Sequence, residues 1–223
     1  MKLRRAAWLA TLALVLSTLA STTAFADTLT MSLAPNRDSS YGGGAFIATV
    51  NNGPLGGSVF YTFCLEYNEH FSPGPTYNYV INSEAVNGGV GPEGDPISLG
   101  TAYLYSQYLD DPNHANWTAQ QQRNLQEAIW FLEDENGGQN NSLIAAAQAA
   151  LGVDLVDLKA DANGAYGVVA LNLTDSNGNL VQDQMARVPE AGATLLLSMS
   201  LVGLGWFARR KGLLPSGARP LNV

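Results

Sequence analysis

The chain has 223 residues, is 46% hydrophobic and 13% charged, and carries a net charge of −8 with a single cysteine, Cys64. One cysteine excludes an internal disulfide, and the two histidines, His70 and His114, sit in separate loop-like stretches that offer no ligand set for a metal. Between Asp27 and Val188 lie 18 of the 19 acidic residues but only four bases, Arg37, Arg123, Lys159 and Arg187, a net charge of −14 that argues against nucleic acid or an anionic membrane surface as a partner.

In chain order, Lys2, Arg4 and Arg5 precede an apolar run from Ala6 to Ala20 and the small-x-small triplet Ala24-Phe25-Ala26. These are the three parts of a secretory signal, so residues 1–26 are expected to be removed by signal peptidase. Residues 27–187 have the length of one domain with a proper core. Leu29 to Leu33 and Ala45 to Val50 read as strands around the glycine break Gly42 to Gly44, and Tyr77 to Ile81 reads as another, after a turn at Pro73 to Thr76. Asn87 to Pro96, rich in glycine and proline, reads as a loop.

From Ile97 the period becomes helical. A first helix over Ile97 to Leu109 has Ser98 as its N-cap and Leu99, Tyr103 and Leu104 facing inward, and Asp110-Asp111-Pro112 ends it. A second starts near Trp117-Thr118 and runs to Glu135, where Asn136-Gly137-Gly138 stops it. The third, Ser142 to Leu151, ends at Gly152. Strands then return at Tyr166 to Thr174 and Leu180 to Gln184, joined by Asp175-Ser176-Asn177-Gly178-Asn179, whose Asn-Gly is a hairpin signal. The Asp-x-Asn-x-Asn spacing is also that of a calcium loop, but no acidic residue stands where such a loop closes.

Ser58 to Tyr67 carries the cysteine. Read as a strand, it puts Val59, Tyr61, Phe63, Leu65 and Tyr67 on one face and Phe60, Thr62, Cys64 and Glu66 on the other, less apolar face. In an oxidising compartment an unpaired thiol there is either buried as a small hydrophobe or bonded to something. The second helix supplies a candidate, because Leu125, Ile129 and Leu132 form its apolar stripe while Gln126 lies one residue off it, four residues before Trp130.

The pair Phe63-Cys64-Leu65-Glu66 and Leu125-Gln126-Glu127-Ala128-Ile129-Trp130 resembles the two signatures of the thioester domains of bacterial surface adhesins. That resemblance implies an internal bond between the Cys64 sulfur and the Gln126 side chain, with Phe63, Glu66, Ala128, Ile129 and Trp130 as supporting residues. It also implies single-use covalent attachment to an amine or hydroxyl outside the cell, with no cofactor and no turnover. The three-helix block, residues 97–151, resembles the helical insert that this family carries on its β scaffold. A cysteine hydrolase using His70 or His114 is the enzymatic rival, and neither histidine sits in a motif with a positioned third group.

Beyond the domain, Val188-Pro189-Glu190-Ala191 leads into eighteen uncharged residues, Ala191 to Ala208, followed by Arg209-Arg210-Lys211. Such a run is just long enough to cross a bilayer, with the basic cluster marking its cytoplasmic side. The arrangement over residues 188–211 resembles a PEP-CTERM sorting signal, which implies processing by an exosortase near Pro189; residues 212–223 trail beyond it. The expected class is therefore α+β, a β-sandwich or barrel-like scaffold with an inserted three-helix block, flanked by a signal peptide and a C-terminal transmembrane sorting helix. The expected protein is exported to the cell surface or extracellular matrix, membrane-anchored only in transit. Its alternative is a non-covalent structural or exopolysaccharide-associated matrix protein of a biofilm, in which Cys64 and Gln126 are ordinary core residues.

Overall fold

A computed structural model describes residues 26–38, 42–86 and 94–188 of the chain. The secretory leader, the sorting residues Pro189, Glu190, Arg209, Arg210 and Lys211, and the apolar run between them lie outside the described residues. Among the described residues no helix is long and apolar enough to cross a membrane.

The class is α+β. Among the described residues, eight strands and four α-helices occur in the order β1 (Thr28–Leu33), β2 (Phe46–Val50), β3 (Val59–Thr62), β4 (Thr76–Asn82), β5 (Glu84–Ala85), β6 (Asp95–Pro96), α1 (Leu99–Asp110), α2 (Ala119–Leu132), α3 (Ser142–Leu151), α4 (Leu155–Leu158), β7 (Val168–Thr174) and β8 (Leu180–Arg187). Six strands form one sheet in the order β3-β2-β1-β4-β7-β8, every neighbouring pair antiparallel. All four helices fall between β6 and β7, so the helical segment is contiguous, as expected, with the short α4 added to it.

Local chemistry accounts for the boundaries. In β1, Leu29 and Met31 are fully buried, and their neighbours Phe46, Ala48 and Val50 in β2 are buried as well. Ser98 caps α1 by accepting from the Thr101 amide. Helix α2 starts at Ala119 because Thr118 and Gln121 form a reciprocal capping box, which places Trp117 outside it. In α1 the deeply buried aromatic residues are Tyr105 and Tyr108, whereas Leu99 and Tyr103 are only partly covered. The β7–β8 turn is closed by the Asp175 carboxylate, which accepts from the backbone amides of Asn177 and Asn179 and from the Asn179 side chain. Its Asp-x-Asn-x-Asn spacing is thus turn chemistry, and no group of three or more metal-ligating side chains occurs among the described residues.

Ser58 to Tyr67 departs most from the expectation. Pairing with β2 ends at Thr62, opposite Phe46, and two residues later Cys64 pairs antiparallel with Gln184 of β8. Around that bridge the Leu65 amide donates to the Asp183 carbonyl at 3.1 Å and the Met185 amide to the Phe63 carbonyl at 3.3 Å. The chain therefore leaves one edge of the sheet and joins the other. The less apolar face is the more buried one: Thr62, Cys64 and Glu66 are buried whereas Val59 and Tyr67 are exposed, with Phe63 and Leu65 packing into the helix-side core and Cys64 into the second core with Leu29, Met31 and Trp130.

Tyr105 of α1 holds this junction from the helical side. Its hydroxyl lies 2.6 Å from the Tyr61 carbonyl and 3.2 Å from the Met185 carbonyl, one on each of the two strands that meet. Replacing Tyr105 with Phe is expected to destabilise the fold by about 1–2 kcal/mol, since a buried donor is lost while its acceptors stay buried. Thermal unfolding measures this, and an unchanged midpoint would show that the junction does not depend on the hydroxyl.

Candidate functional site: a cysteine and a glutamine in one buried contact

Because Cys64 and Gln184 face each other across a pair whose hydrogen bonds are made by the flanking residues, the backbone N–H and C=O of Cys64 point away from β8. Among the described residues no strand pairs with them there. The carboxamide of Gln126 does so: its Oε1 accepts from the Cys64 amide at 3.1 Å and its Nε2 donates to the Cys64 carbonyl at 2.8 Å. Both residues are completely buried. The two motifs, 62 residues apart in sequence, thus converge on one residue-to-residue contact.

The apolar stripe of α2 sets the position of Gln126. Leu125, Ile129 and Leu132 are buried at 1% exposure or less and anchor the helix in the helix-side core together with Ala128 and Phe63. That orientation turns Gln126 and Trp130, one turn apart, toward the second core. The glycine break then closes over them. A β-carbon on Gly43 would stand 2.5 Å from Gln126 Cγ and 2.6 Å from Trp130 Cη2, so only a residue without a side chain fits there. Arg37 ties the segment down, donating to the Gly42 carbonyl at 2.8 Å while its guanidinium lies over the Phe46 ring. On its other side the Trp130 ring meets Tyr67 edge-on at 5.0 Å, and Gly137 admits that contact, since a β-carbon there would fall 2.0 Å from Tyr67 Cδ2.

The sulfur has its own partner. Gln184 Nε2 donates to Cys64 Sγ at 3.5 Å. Burial pushes the Cys64 thiol up to about 12, with the Gln184 hydrogen bond opposing it, the Glu66 carboxyl adding to it and the charge of Arg37 opposing it. Such a thiol is protonated at neutral pH, the reverse of what a cysteine hydrolase needs. Neither histidine is among these groups. His114 packs against the rings of Tyr61 and Tyr108, and His70 lines an outer cleft of about 290 Å³ with Gly42, Tyr67, Glu69, Trp130 and Gln182. Trp130 and the Gly42–Gly43 backbone therefore separate that cleft from the buried pair.

Glu66 sits beside the junction as half of a buried acid pair. Asp183 accepts from the Val86 and Leu173 amides and from the Asn172 side chain, whereas the Asp183 amide donates to Glu66 Oε2. Three donors favour the charge on Asp183 and leave the proton on Glu66. Burial first, and the Asp183 charge second, push the Glu66 carboxyl up to about 10.

Among the residues marked in the sequence, Phe63, Cys64, Glu66, Gln126, Ala128, Ile129 and Trp130 all line this contact or the cores that flank it. Val188 is remote in role: it follows β8 and donates to the Gly167 carbonyl. Gln184, Asp183, Gly43 and Arg37 belong to the site and were not legible as such. For Asp183 and Gln184 the sequence signal is a run of three polar residues, Gln182 to Gln184, inside a strand that is buried from Gln182 to Ala186, and for Gly43 it is the glycine break. Comparison with known protein families, curated proteins and solved structures finds no match to the chain.

The acid pair gives a signed pH dependence. A carboxyl raised by folding favours the folded state fully below the ordinary carboxylate range, and that contribution is lost as pH climbs toward about 10. Thermal stability should therefore fall across the alkaline side of neutrality, and Glu66→Gln should flatten the decline. An unaltered slope in Glu66→Gln would assign it to other groups.

Proposed function

We propose that the chain is an exported surface or matrix protein that attaches covalently to a partner through a thioester between Cys64 and Gln126. Its sheet, with the two edge segments meeting at Cys64, serves as a barrel-like scaffold, and the helical segment delivers the glutamine. The observation that carries the reading is the double hydrogen bond that brings the Gln126 carboxamide onto the cysteine residue itself. In forming the bond, Sγ adds to Gln126 Cδ, the C–N bond breaks, and the thiol proton leaves with the amide nitrogen as ammonia. The Cys64 amide already points at Oε1, so it opposes the negative charge that builds on this oxygen in the tetrahedral intermediate.

Opening is the reverse problem. An amine or hydroxyl adds to the same carbon, the C–S bond breaks with its electron pair on sulfur, and the nucleophile's proton passes to the sulfur, leaving an amide or ester on Gln126 and a free thiol. A burial that disfavours the thiolate slows this step for stray water. The motif resemblance at both ends supports the rest of the reading: signal peptidase and exosortase as processing partners, transient anchoring by the C-terminal apolar run, and no catalytic turnover.

A second reading has one observation in its favour. The same two hydrogen bonds satisfy backbone groups that would otherwise be orphaned, which is a sufficient structural reason for a buried glutamine in a non-covalent matrix protein. Intact mass separates the two. The thioester protein is expected to be about 17 Da lighter than its sequence requires, and methylamine should add about 31 Da and release one thiol. Cys64→Ala and Gln126→Ala should each abolish the deficit, and Trp130→Ala should keep it while hydrolysing faster. A full sequence mass with no amine adduct assigns the pair to the structural role.

A further inference from the structure

The thioester reading leaves one contact of the sulfur unused. Gln184 is fully buried, lies directly across the strand pair from Cys64, and aims a side-chain N–H at the sulfur. Pairs of this type bring opposite side chains closest together, so the contact follows from register and not from chance rotamers. The amide is also oriented from behind. Thr62 Oγ1 lies 3.4 Å from Gln184 Oε1 and 2.7 Å from the Met185 carbonyl, and it accepts from the Met185 amide at 3.0 Å. With the carboxamide oxygen on the Thr62 side, the nitrogen, which is the donor end, faces the sulfur.

We propose that Gln184 is a catalytic residue of the Cys64–Gln126 thioester, holding the sulfur toward Gln126 and stabilising the charge that develops on it when a nucleophile displaces it. This rests on the thioester reading and goes beyond it by assigning the leaving-group donor. During opening the nucleophile forms its bond to Gln126 Cδ, the C–S electron pair moves onto Sγ, and the Gln184 N–H shortens its hydrogen bond to that sulfur until the nucleophile's proton arrives. The demand for such a donor is high here, because the second core around Cys64 is built from Leu29, Met31, Phe46 and Trp130, which leave a thiolate without solvation. Formation of the bond is the reverse of the same displacement, so the donor acts on the rate in both directions; the mass deficit reads only whether the bond has formed by the end, and opening is read as a rate.

The test uses the full-length chain with Gln184→Met, similar in shape but without the donor, and Gln184→Glu, which keeps an oxygen facing Thr62 and tolerates the site if Met does not. Both are expected to retain the ammonia-loss mass deficit. Opening by methylamine should slow about tenfold to a hundredfold, the range for losing a hydrogen bond to a charged group. In the amine-opened protein, alkylation of Cys64 should shift to higher pH than in wild type, a readout that a merely structural role would not move. Wild-type opening rate and wild-type alkylation profile in a folded variant would overturn the proposal, as would loss of folding in both variants, which would make Gln184 a structural residue. A wild-type chain of full sequence mass is a different failure, that of the thioester itself.

Discussion

The contact on which the rest of the site depends is the double hydrogen bond between the Gln126 carboxamide and the backbone of Cys64. It exists because the chain changes partners. Where the segment after β3 leaves β2 and pairs with β8, the N–H and C=O of Cys64 are turned away from both strands, and buried backbone groups need partners. A side chain with one acceptor and one donor at fixed spacing can replace a strand at that point, and glutamine has this shape. The helix that supplies it is held by its apolar stripe, so sheet topology and helix packing together fix the distance between sulfur and carboxamide.

The same burial that builds the contact also closes it. Arg37, Gly43 and Trp130 cover the pair from the side of the outer cleft, and the second core covers it from within. In such surroundings both a thiol and a thioester are comfortable, and a thiolate is not. On the proposed reading, a bond stored here is protected by the cost of its leaving group as much as by exclusion of water. On that same reading, release then depends on a donor placed at the sulfur or on displacement of the Gly42–Gly43 cover, which Arg37 ties down.

The sequence carried the elements well where the chemistry is local. The Thr118 capping box, the Gly152 helix end and the Asp175 turn are written in adjacent residues, and the strands on either side of Gly42 to Gly44 alternate cleanly. It also carried the two residues of the contact: Cys64 stands out as the single cysteine, and Gln126 through the resemblance of Leu125 to Trp130 to a thioester signature. What it could not carry was the partner change after Thr62. A strand that passes from one edge of a sheet to the other keeps its period of two, so Ser58 to Tyr67 reads as one uninterrupted strand with a polar face. Gln184 was hidden for the same reason: its role depends on which residue it faces across a pairing 120 residues apart in sequence.

The most direct measurement is the covalent state of Gln126 in the protein digested under acidic conditions, where a thioester survives. The account predicts that the peptides containing Cys64 and Gln126 are recovered as one joined species lacking the elements of ammonia, and that methylamine separates them into a thiol peptide and an N-methylated glutamine peptide. Two separate peptides from the untreated protein, one with a free Cys64 thiol and one with an unmodified Gln126 amide, would contradict it.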